Sequence, residues 1–157
     1  MRRKNTQKKM PVMDGGNLEV GIAVSLFNDD ITKPMLEGAL LCLEENKVRK
    51  DNIKVVFVPG SFEIPYFCQK LAKSGKYDAL IAIGCVIKGE TDHYYYIAGE
   101  VSRAIMDISL KYEIPVGFAI ITTNNLSQAK DRAAGNNNKG YEAAEAILRV
   151  LRSEAVL

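Results

Sequence analysis

The chain has 157 residues, which suits one compact domain, and 47% of them are hydrophobic while 25% are charged. These proportions are typical of a globular protein and exclude a largely disordered chain. The formal charge of +2 gives no support to nucleic-acid binding by the whole domain, and no apolar stretch is long enough to span a membrane.

Residues 1–16 are predicted to form a flexible basic tail, and residues 17–157 to form a single domain. The basic side chains of the tail are Arg2, Arg3, Lys4, Lys8 and Lys9. No apolar run follows them, so the segment is not expected to be a secretory signal. We interpret it as a solvated tail, the alternative being a weak electrostatic role toward RNA or an acidic partner.

Four short runs rich in Val and Ile are predicted to be strands. They cover residues 20–25, 53–58, 79–87 and 116–122. Their apolar residues are nearly continuous rather than alternating, which is typical of strands that helices cover on both faces.

The stretches between and after these runs carry apolar residues at the three-and-four spacing of amphipathic helices. The repeating residues are Leu36, Leu40 and Leu43, then Ile64, Phe67, Cys68 and Leu71, then Ile97, Val101, Ala104, Ile105 and Ile108, and finally Ala143, Ala144, Ile147, Leu148 and Leu151. Pro34 fits only the first turn of a helix, which predicts a helix start near residues 30–32. Alternating strands and helices imply right-handed crossovers. We therefore predict an α/β fold, a three-layer flavodoxin-like sandwich whose four-stranded parallel sheet has helices on both faces.

The three cysteines, Cys42, Cys68 and Cys85, lie in apolar stretches and are predicted to be buried. The odd count, the absence of a CxxC motif and the single histidine argue against a structural zinc site, so no metal is expected. Free thiols without a secretory signal predict a reducing, cytoplasmic location.

The segments that follow the predicted strands are the candidate binding regions, because ligands bind beyond the carboxyl ends of strands in an open parallel sheet. Phe27 and Asn28 follow the first strand, where a ring could stack and an amide could hydrogen-bond. Packing for Phe27 and a turn role for Asn28 are the alternatives. Glu63 follows the second strand, where its carboxylate could bind a ligand or simply favour a helix start.

His93 is the only histidine and lies at the end of the segment 88–93, which follows the third strand. In that segment a glycine and a hydroxyl residue precede a helix start, a pattern that favours anion binding. An isolated histidine is more often structural, but its place at the ligand edge favours proton transfer, for which the ordinary histidine pKa of about 6.5 is suitable. After the fourth strand, Arg132 and Lys139 flank a glycine- and asparagine-rich loop, with solvated surface charges as the alternative.

Several common motifs are absent, namely GxGxxG, Walker A, GxSxG and HExxH. Their absence argues against dinucleotide, ATP and serine-hydrolase chemistry.

Taken together, these segments resemble the lumazine synthase family over about residues 20–151. The most specific motifs are VPGSFEIP at 58–65, IKGETDH at 87–93, and QAKDRA at 128–133 followed by NKG at 138–140. The resemblance implies condensation of 5-amino-6-(D-ribitylamino)uracil with 3,4-dihydroxy-2-butanone 4-phosphate. The product is 6,7-dimethyl-8-ribityllumazine, with release of phosphate and water, in the penultimate step of riboflavin biosynthesis. The resemblance implies no metal and no organic cofactor.

The resemblance also implies a role for each matching residue. His93 is implied to be the general acid–base, and Phe27 to stack on the pyrimidine ring. The implied contacts to the ribityl chain and the ring come from Asn28, Ser61, Phe62, Glu63, Val86, Ile87 and Lys139. The implied phosphate contacts come from Lys88, Gly89, Glu90, Thr91 and Arg132. Phe118, Arg132 and Lys139 would belong to a neighbouring subunit.

The family resemblance further implies a homo-oligomer, a pentamer with the site between adjacent subunits. Some members assemble pentamers into a sixty-subunit icosahedral shell, and the lack of a longer insertion between Arg132 and Lys139 favours the shell here. Riboflavin synthase is a candidate partner. Three alternatives remain, a non-catalytic binder of lumazine-like rings, a flavodoxin-like electron carrier and a shell protein without turnover. The presence of both His93 and Arg132 favours the enzyme.

Overall fold

The computed structural model describes residues 10–157, which contain four strands and five α-helices. The strands are β1 (Val20–Ser25), β2 (Ile53–Val58), β3 (Ala79–Ile87) and β4 (Val116–Thr123). The α-helices are α1 (Asp29–Glu45), α2 (Ile64–Lys73), α3 (His93–Tyr112), α4 (Leu126–Ala133) and α5 (Lys139–Glu154). Short 3-10 turns cover Lys50–Asn52, Ser61–Glu63 and Gly135–Asn137. All four predicted strands are confirmed, and β4 extends one residue further than predicted. The basic side chains of the predicted tail lie outside the described residues.

The strands form one parallel sheet in the order β2-β1-β3-β4. Val24 of β1 lies opposite Phe57 of β2 on one side and Ile83 of β3 on the other. One apolar cluster packs α1, α4 and α5 against one sheet face, and a second cluster packs α2 and α3 against the other. The predicted three-layer α/β sandwich is therefore confirmed. It places the carboxyl ends of β1, β2 and β3 side by side.

Helices cover both faces of the sheet, as predicted, but the two edge strands are less completely covered than β1. All residues of β1 are buried, whereas Lys54 and Phe57 of β2 and Phe118 and Thr122 of β4 are exposed. Helices that lie over the middle of a sheet leave part of the outer strands uncovered. Apolar surface therefore remains at both edges, with Phe57 50% and Phe118 48% exposed.

The first helix also begins differently from the prediction. α1 starts at Asp29, so Pro34 lies in the second turn rather than the first. Proline lacks the N–H that would bond the carbonyl four residues earlier, which belongs to Asp30. Asp30 is exposed, so water can satisfy that carbonyl, and the helix continues through the proline.

α1 and α5 approach most closely at Gly140, where the absence of a side chain lets their backbones touch. A Cβ atom added to Gly140 would lie only 1.8 Å from the carbonyl oxygen of Met35. No side chain can occupy that space unless the two helices separate, and their separation would open the core.

We expect Gly140→Ala to lower the free energy of unfolding by about 3 kcal/mol, because the added methyl group overpacks the helix crossing. Gly99→Ala in α3 is the matched control, since its added Cβ meets nothing within 4 Å. Alanine favours an exposed helix interior by up to about 1 kcal/mol, so this control should lose no stability. Denaturant unfolding of both variants measures the difference. An equal loss of unfolding free energy in both would show that the added methyl group at Gly140 does not overpack the contact between α1 and α5.

The three cysteines are buried and free, as predicted. Burial raises the pKa of the Cys68 thiol from its ordinary value of 9.0 to about 12, and desolvation likewise raises the pKa of Cys42 and of Cys85 to about 12. The unfolded chain therefore loses these protons at lower pH than the folded chain. The resulting stability is fully present below pH 9 and is lost as the pH rises toward 12.

We therefore expect Cys68→Ala to flatten the alkaline decline in the free energy of unfolding. One thiol contributes a slope of up to about 1.4 kcal/mol per pH unit in this window. Denaturant unfolding of wild type and variant at several pH values from neutral to alkaline gives the two slopes. Parallel curves would show that Cys68 keeps its ordinary pKa in the folded chain.

Candidate functional site

A cavity of about 450 Å³ opens beyond the carboxyl ends of β1, β2 and β3. It is the place where an open parallel sheet binds its ligands. The predicted site residues that line it are Phe27, Asn28, Ser61, Phe62, Glu63, Val86, Ile87, Gly89, Thr91 and His93. The fold thus brings together residues from three separate sequence segments.

Phe27 and Asn28 form one wall through an extension of the β1–β2 pairing. The Phe27 N–H donates to the carbonyl oxygen of Pro59 at 3.0 Å, and the Phe27 ring is 71% exposed. Asn28 has a left-handed backbone with φ 59°, and its Nδ2 donates to the carbonyl oxygen of Cys85 at 3.1 Å. Asn28 therefore shapes the turn, as the alternative reading proposed, and it also lines the cavity.

Ser61 and Glu63 form a second wall at the turn before α2. Glu63 Oε2 accepts the Gly60 N–H at 2.9 Å, so the carboxylate supports the start of the helix. Ser61 is only 7% exposed, and its Oγ has no hydrogen-bond partner among the described residues. This hydroxyl packs against Gly84, where an added Cβ would lie 2.6 Å from Ser61 Oγ. A buried hydroxyl without a partner is unusual, and a ligand or water that reached it from the cavity would supply the missing hydrogen bond.

The segment 88–93 forms the third wall and leads into the first turn of α3. Lys88 is anchored by its N–H, which donates to the carbonyl oxygen of Thr123 at 2.8 Å. The His93 N–H donates to Thr91 Oγ1 at 3.5 Å, and His93 is the first residue of the helix. The space around Gly89 is open to 4 Å from an added Cβ. Free N–H groups at the start of a long helix, facing an open space, can bind an anion.

Lys88 and Glu90 belong to this segment, but they are exposed and do not line the cavity. Lys88 Nζ lies 5.4 Å from the centre of the Tyr95 ring. A hydrogen bond to Tyr95 raises the pKa of Lys88 above its ordinary value, so the side chain stays positively charged.

Phe118, Arg132 and Lys139 are not brought together with His93 within one chain. Phe118 and Lys139 line a different cavity of about 480 Å³ between α3, β4 and α5, and Lys139 Nζ lies 2.5 Å from Glu142 Oε2. Arg132 lies near the end of α4, and its Nη1 donates to the carbonyl oxygen of Gln128 at 2.9 Å. The assignment of these three residues to a neighbouring subunit's site stays a prediction.

Four further residues line the main cavity and were not predicted, namely Gly60, Cys85, Tyr94 and Ile97. Tyr94 and Ile97 are three residues apart on α3 and share a face with Val101. The sequence pattern places Ile97 on the core stripe of α3 and gives Tyr94 no role, although both residues line the cavity. Cys85 contributes through its backbone carbonyl, which holds Asn28 in place.

Within residues 10–157, no group of three His, Cys, Asp or Glu side chains is placed to hold a metal ion. In the same residues, no helix combines the length and apolar character needed to cross a membrane.

A comparison with known protein families adds an independent finding. A family model described as 6,7-dimethyl-8-ribityllumazine synthase matches residues 17–154. The matched segment contains all four strands, all five helices and every residue that lines the main cavity.

Proposed function

The chain belongs to the 6,7-dimethyl-8-ribityllumazine synthase family, and we propose that the main cavity is the part of the active site that holds its general acid–base. Family membership makes the protein a transferase of riboflavin biosynthesis that forms 6,7-dimethyl-8-ribityllumazine from 5-amino-6-(D-ribitylamino)uracil and 3,4-dihydroxy-2-butanone 4-phosphate. The match is to a family of enzymes, so it favours turnover over the three non-catalytic alternatives.

One observation carries the assignment of the cavity to this reaction. His93 lines the same space as the exposed Phe27 ring and as Ser61, whose buried hydroxyl has no partner among the described residues. A flat pyrimidine stacks on the aromatic ring, and its ribityl hydroxyls hydrogen-bond Ser61, Asn28 and Glu63. Backbone groups of Val86 and Ile87 meet the ring edge, and Phe62 covers the open side.

The butanone phosphate binds at the start of α3. Its phosphate takes hydrogen bonds from the N–H groups and the hydroxyl of the segment Gly89, Glu90 and Thr91, at the positive end of the helix. Lys88 adds positive charge. This placement holds the ketone carbon next to the pyrimidine amine, and holding two reactants together lowers the barrier between them.

The condensation requires several proton transfers, which His93 performs. The amine attacks the ketone carbonyl and water leaves to form an imine. Phosphate is then eliminated, and ring closure releases a second water. At each step one group gains a proton and another loses one, and an imidazole near the reacting atoms can alternate between acid and base.

Family membership implies small-molecule substrates and homo-oligomeric assembly. We propose that a neighbouring copy supplies Phe118, Lys139 and the phosphate-binding Arg132, since none of them lines the cavity of its own chain that holds His93. Two further exposed apolar side chains, Met106 and Val150, line the same cavities as Phe118. Burial of this surface against a second copy would stabilise the assembly.

Subunit complementation tests the shared site. His93→Ala and Arg132→Ala, each impaired alone, are unfolded together and reassembled as mixed oligomers. Some interfaces then combine an intact His93 from one chain with an intact Arg132 from the next, so product fluorescence should reappear. Separately reassembled variants, mixed afterwards, are the control. Mixed oligomers without regained activity would place both residues in the same chain's site.

The finer assembly and location are also proposals. We propose pentamers that assemble into a sixty-subunit shell, with riboflavin synthase as a partner, in the cytoplasm. Sedimentation velocity measures the mass directly, and a particle with the mass of one pentamer would contradict the shell.

A further inference from the structure

We propose that Asn138 is a positioning residue that sets the distance between Arg132 and Lys139. This inference rests on the proposed function, in which those two cations contact the substrates at a neighbouring subunit's cavity. Asn138 contacts neither cation's side chain in any hydrogen bond shown by the structure, so it acts through the backbone that carries them.

The Asn138 side chain is buried, at 8% exposure, and each half of its amide is used. Nδ2 donates to the carbonyl oxygen of Pro34 at 2.8 Å and to that of Ala133 at 3.0 Å. Oδ1 accepts the N–H of Gly140 at 2.9 Å and the N–H of Tyr141 at 3.1 Å. A buried amide with all four bonds formed restrains every backbone that it contacts.

The contacted backbones are those next to the two cations. Ala133 directly follows Arg132 and is the last residue of α4, while Gly140 directly follows Lys139 in the first turn of α5. Pro34 belongs to α1, which is part of the core. Residues 134–137, which connect α4 to α5, are all exposed, so their packing does little to fix the two helices relative to each other. The Asn138 amide therefore holds the end of α4 and the start of α5 in a fixed position relative to α1.

Gly38 makes room for this arrangement. A Cβ atom on Gly38 would lie 2.4 Å from both Cγ and Oδ1 of Asn138. Gly38→Ala would therefore push the amide away from α1 without changing Asn138 itself, which provides a second way to disturb the same contact.

The test compares Asn138→Ser with wild type in steady-state kinetics of the full assembly. Serine still caps α5 but is too short to donate to Pro34 and Ala133. We expect KM to rise for both substrates, by about tenfold for the butanone phosphate, because a cation displaced by about 1 Å binds poorly. kcat at saturation should change less, since His93 is untouched. Asn136→Ala, at an exposed position of the same loop, is the control and should leave both KM values unchanged.

The two mutational routes and a double mutant distinguish positioning from general damage. Gly38→Ala should reproduce the rise in both KM values. In the Arg132→Ala background, Asn138→Ser should add little to the KM for butanone phosphate, because the displaced group is already gone. A fall in kcat at unchanged KM in both variants would indicate a merely structural role and overturn the proposal.

Failure of the proposed function would look different. If Arg132→Ala alone left the KM for butanone phosphate unchanged, the phosphate site itself would be wrong, and the role of Asn138 would fall with it. If Arg132→Ala raised that KM while Asn138→Ser and Gly38→Ala did not, only the positioning role would be overturned.

Discussion

Replacement of His93 by alanine is expected to lower kcat by about 10²- to 10⁴-fold, the usual contribution of a general acid–base. The condensation moves protons at imine formation, at elimination and at ring closure, so loss of one imidazole affects several steps. Product fluorescence at saturating concentrations of both substrates measures the change. Substrate binding should be retained, because Phe27 and the Ser61 wall are intact.

Tyr96→Phe is a suitable control for this experiment. Tyr96 is exposed in the same helix turn but does not line the cavity, so its loss of a hydroxyl should leave kcat unchanged. Full activity in His93→Ala would mean that another group or water transfers the protons, and the assignment would be withdrawn.

Two other ionisable groups of the cavity, Glu63 and Cys85, are less suited to that role. Glu63 already accepts the Gly60 N–H, which commits one carboxylate oxygen to the helix start. Burial raises the pKa of the Cys85 thiol to about 12, so it holds its proton near neutrality. Histidine side chains ordinarily titrate near neutral pH, which suits repeated proton gain and loss. We therefore expect replacement of His93 to lower kcat more than replacement of Glu63 or Cys85.

The strands could be predicted from sequence because each is a short Val- and Ile-rich run bounded by turn residues. What such runs do not report is strand order. β2 is as apolar as β1, yet it lies at the edge, and its Lys54 and Phe57 are exposed. The prediction put Pro34 in the first turn of α1 because the sequence does not report solvent exposure. A helix can continue past a proline when the carbonyl that loses its partner is open to solvent.

The candidate site was predicted from the segments that follow strands, and the cavity gathers most of them. Ile97 was missed because its spacing continues the core stripe of α3, and Tyr94 because the sequence pattern gives it no role. The positioning role proposed for Asn138 could not be predicted, since it depends on how α1 packs against the connection between α4 and α5. The residues assigned to a neighbouring subunit came from family resemblance alone, because one chain's sequence pattern does not report which surfaces meet.

Arg132→Ala is expected to lower kcat/KM for butanone phosphate by about 10²-fold, because a guanidinium forms strong charge-assisted hydrogen bonds to phosphate. Most of the loss should appear as a higher KM for that substrate, with a smaller change for the pyrimidine. The kcat/KM of Arg132→Lys should fall between those of wild type and Arg132→Ala, since an ammonium keeps the charge but not the two parallel donors.

Lys130→Ala separates a specific contact from a general loss of positive charge. Lys130 is an exposed cation two residues earlier on the same helix, so its removal changes the local charge equally. It should leave the KM for butanone phosphate nearly unchanged. Inorganic phosphate provides a second readout, since it should compete with the butanone phosphate in wild type and much less in Arg132→Ala. Equal effects of both substitutions, with unaltered phosphate inhibition, would mean that Arg132 contributes only to the surface charge.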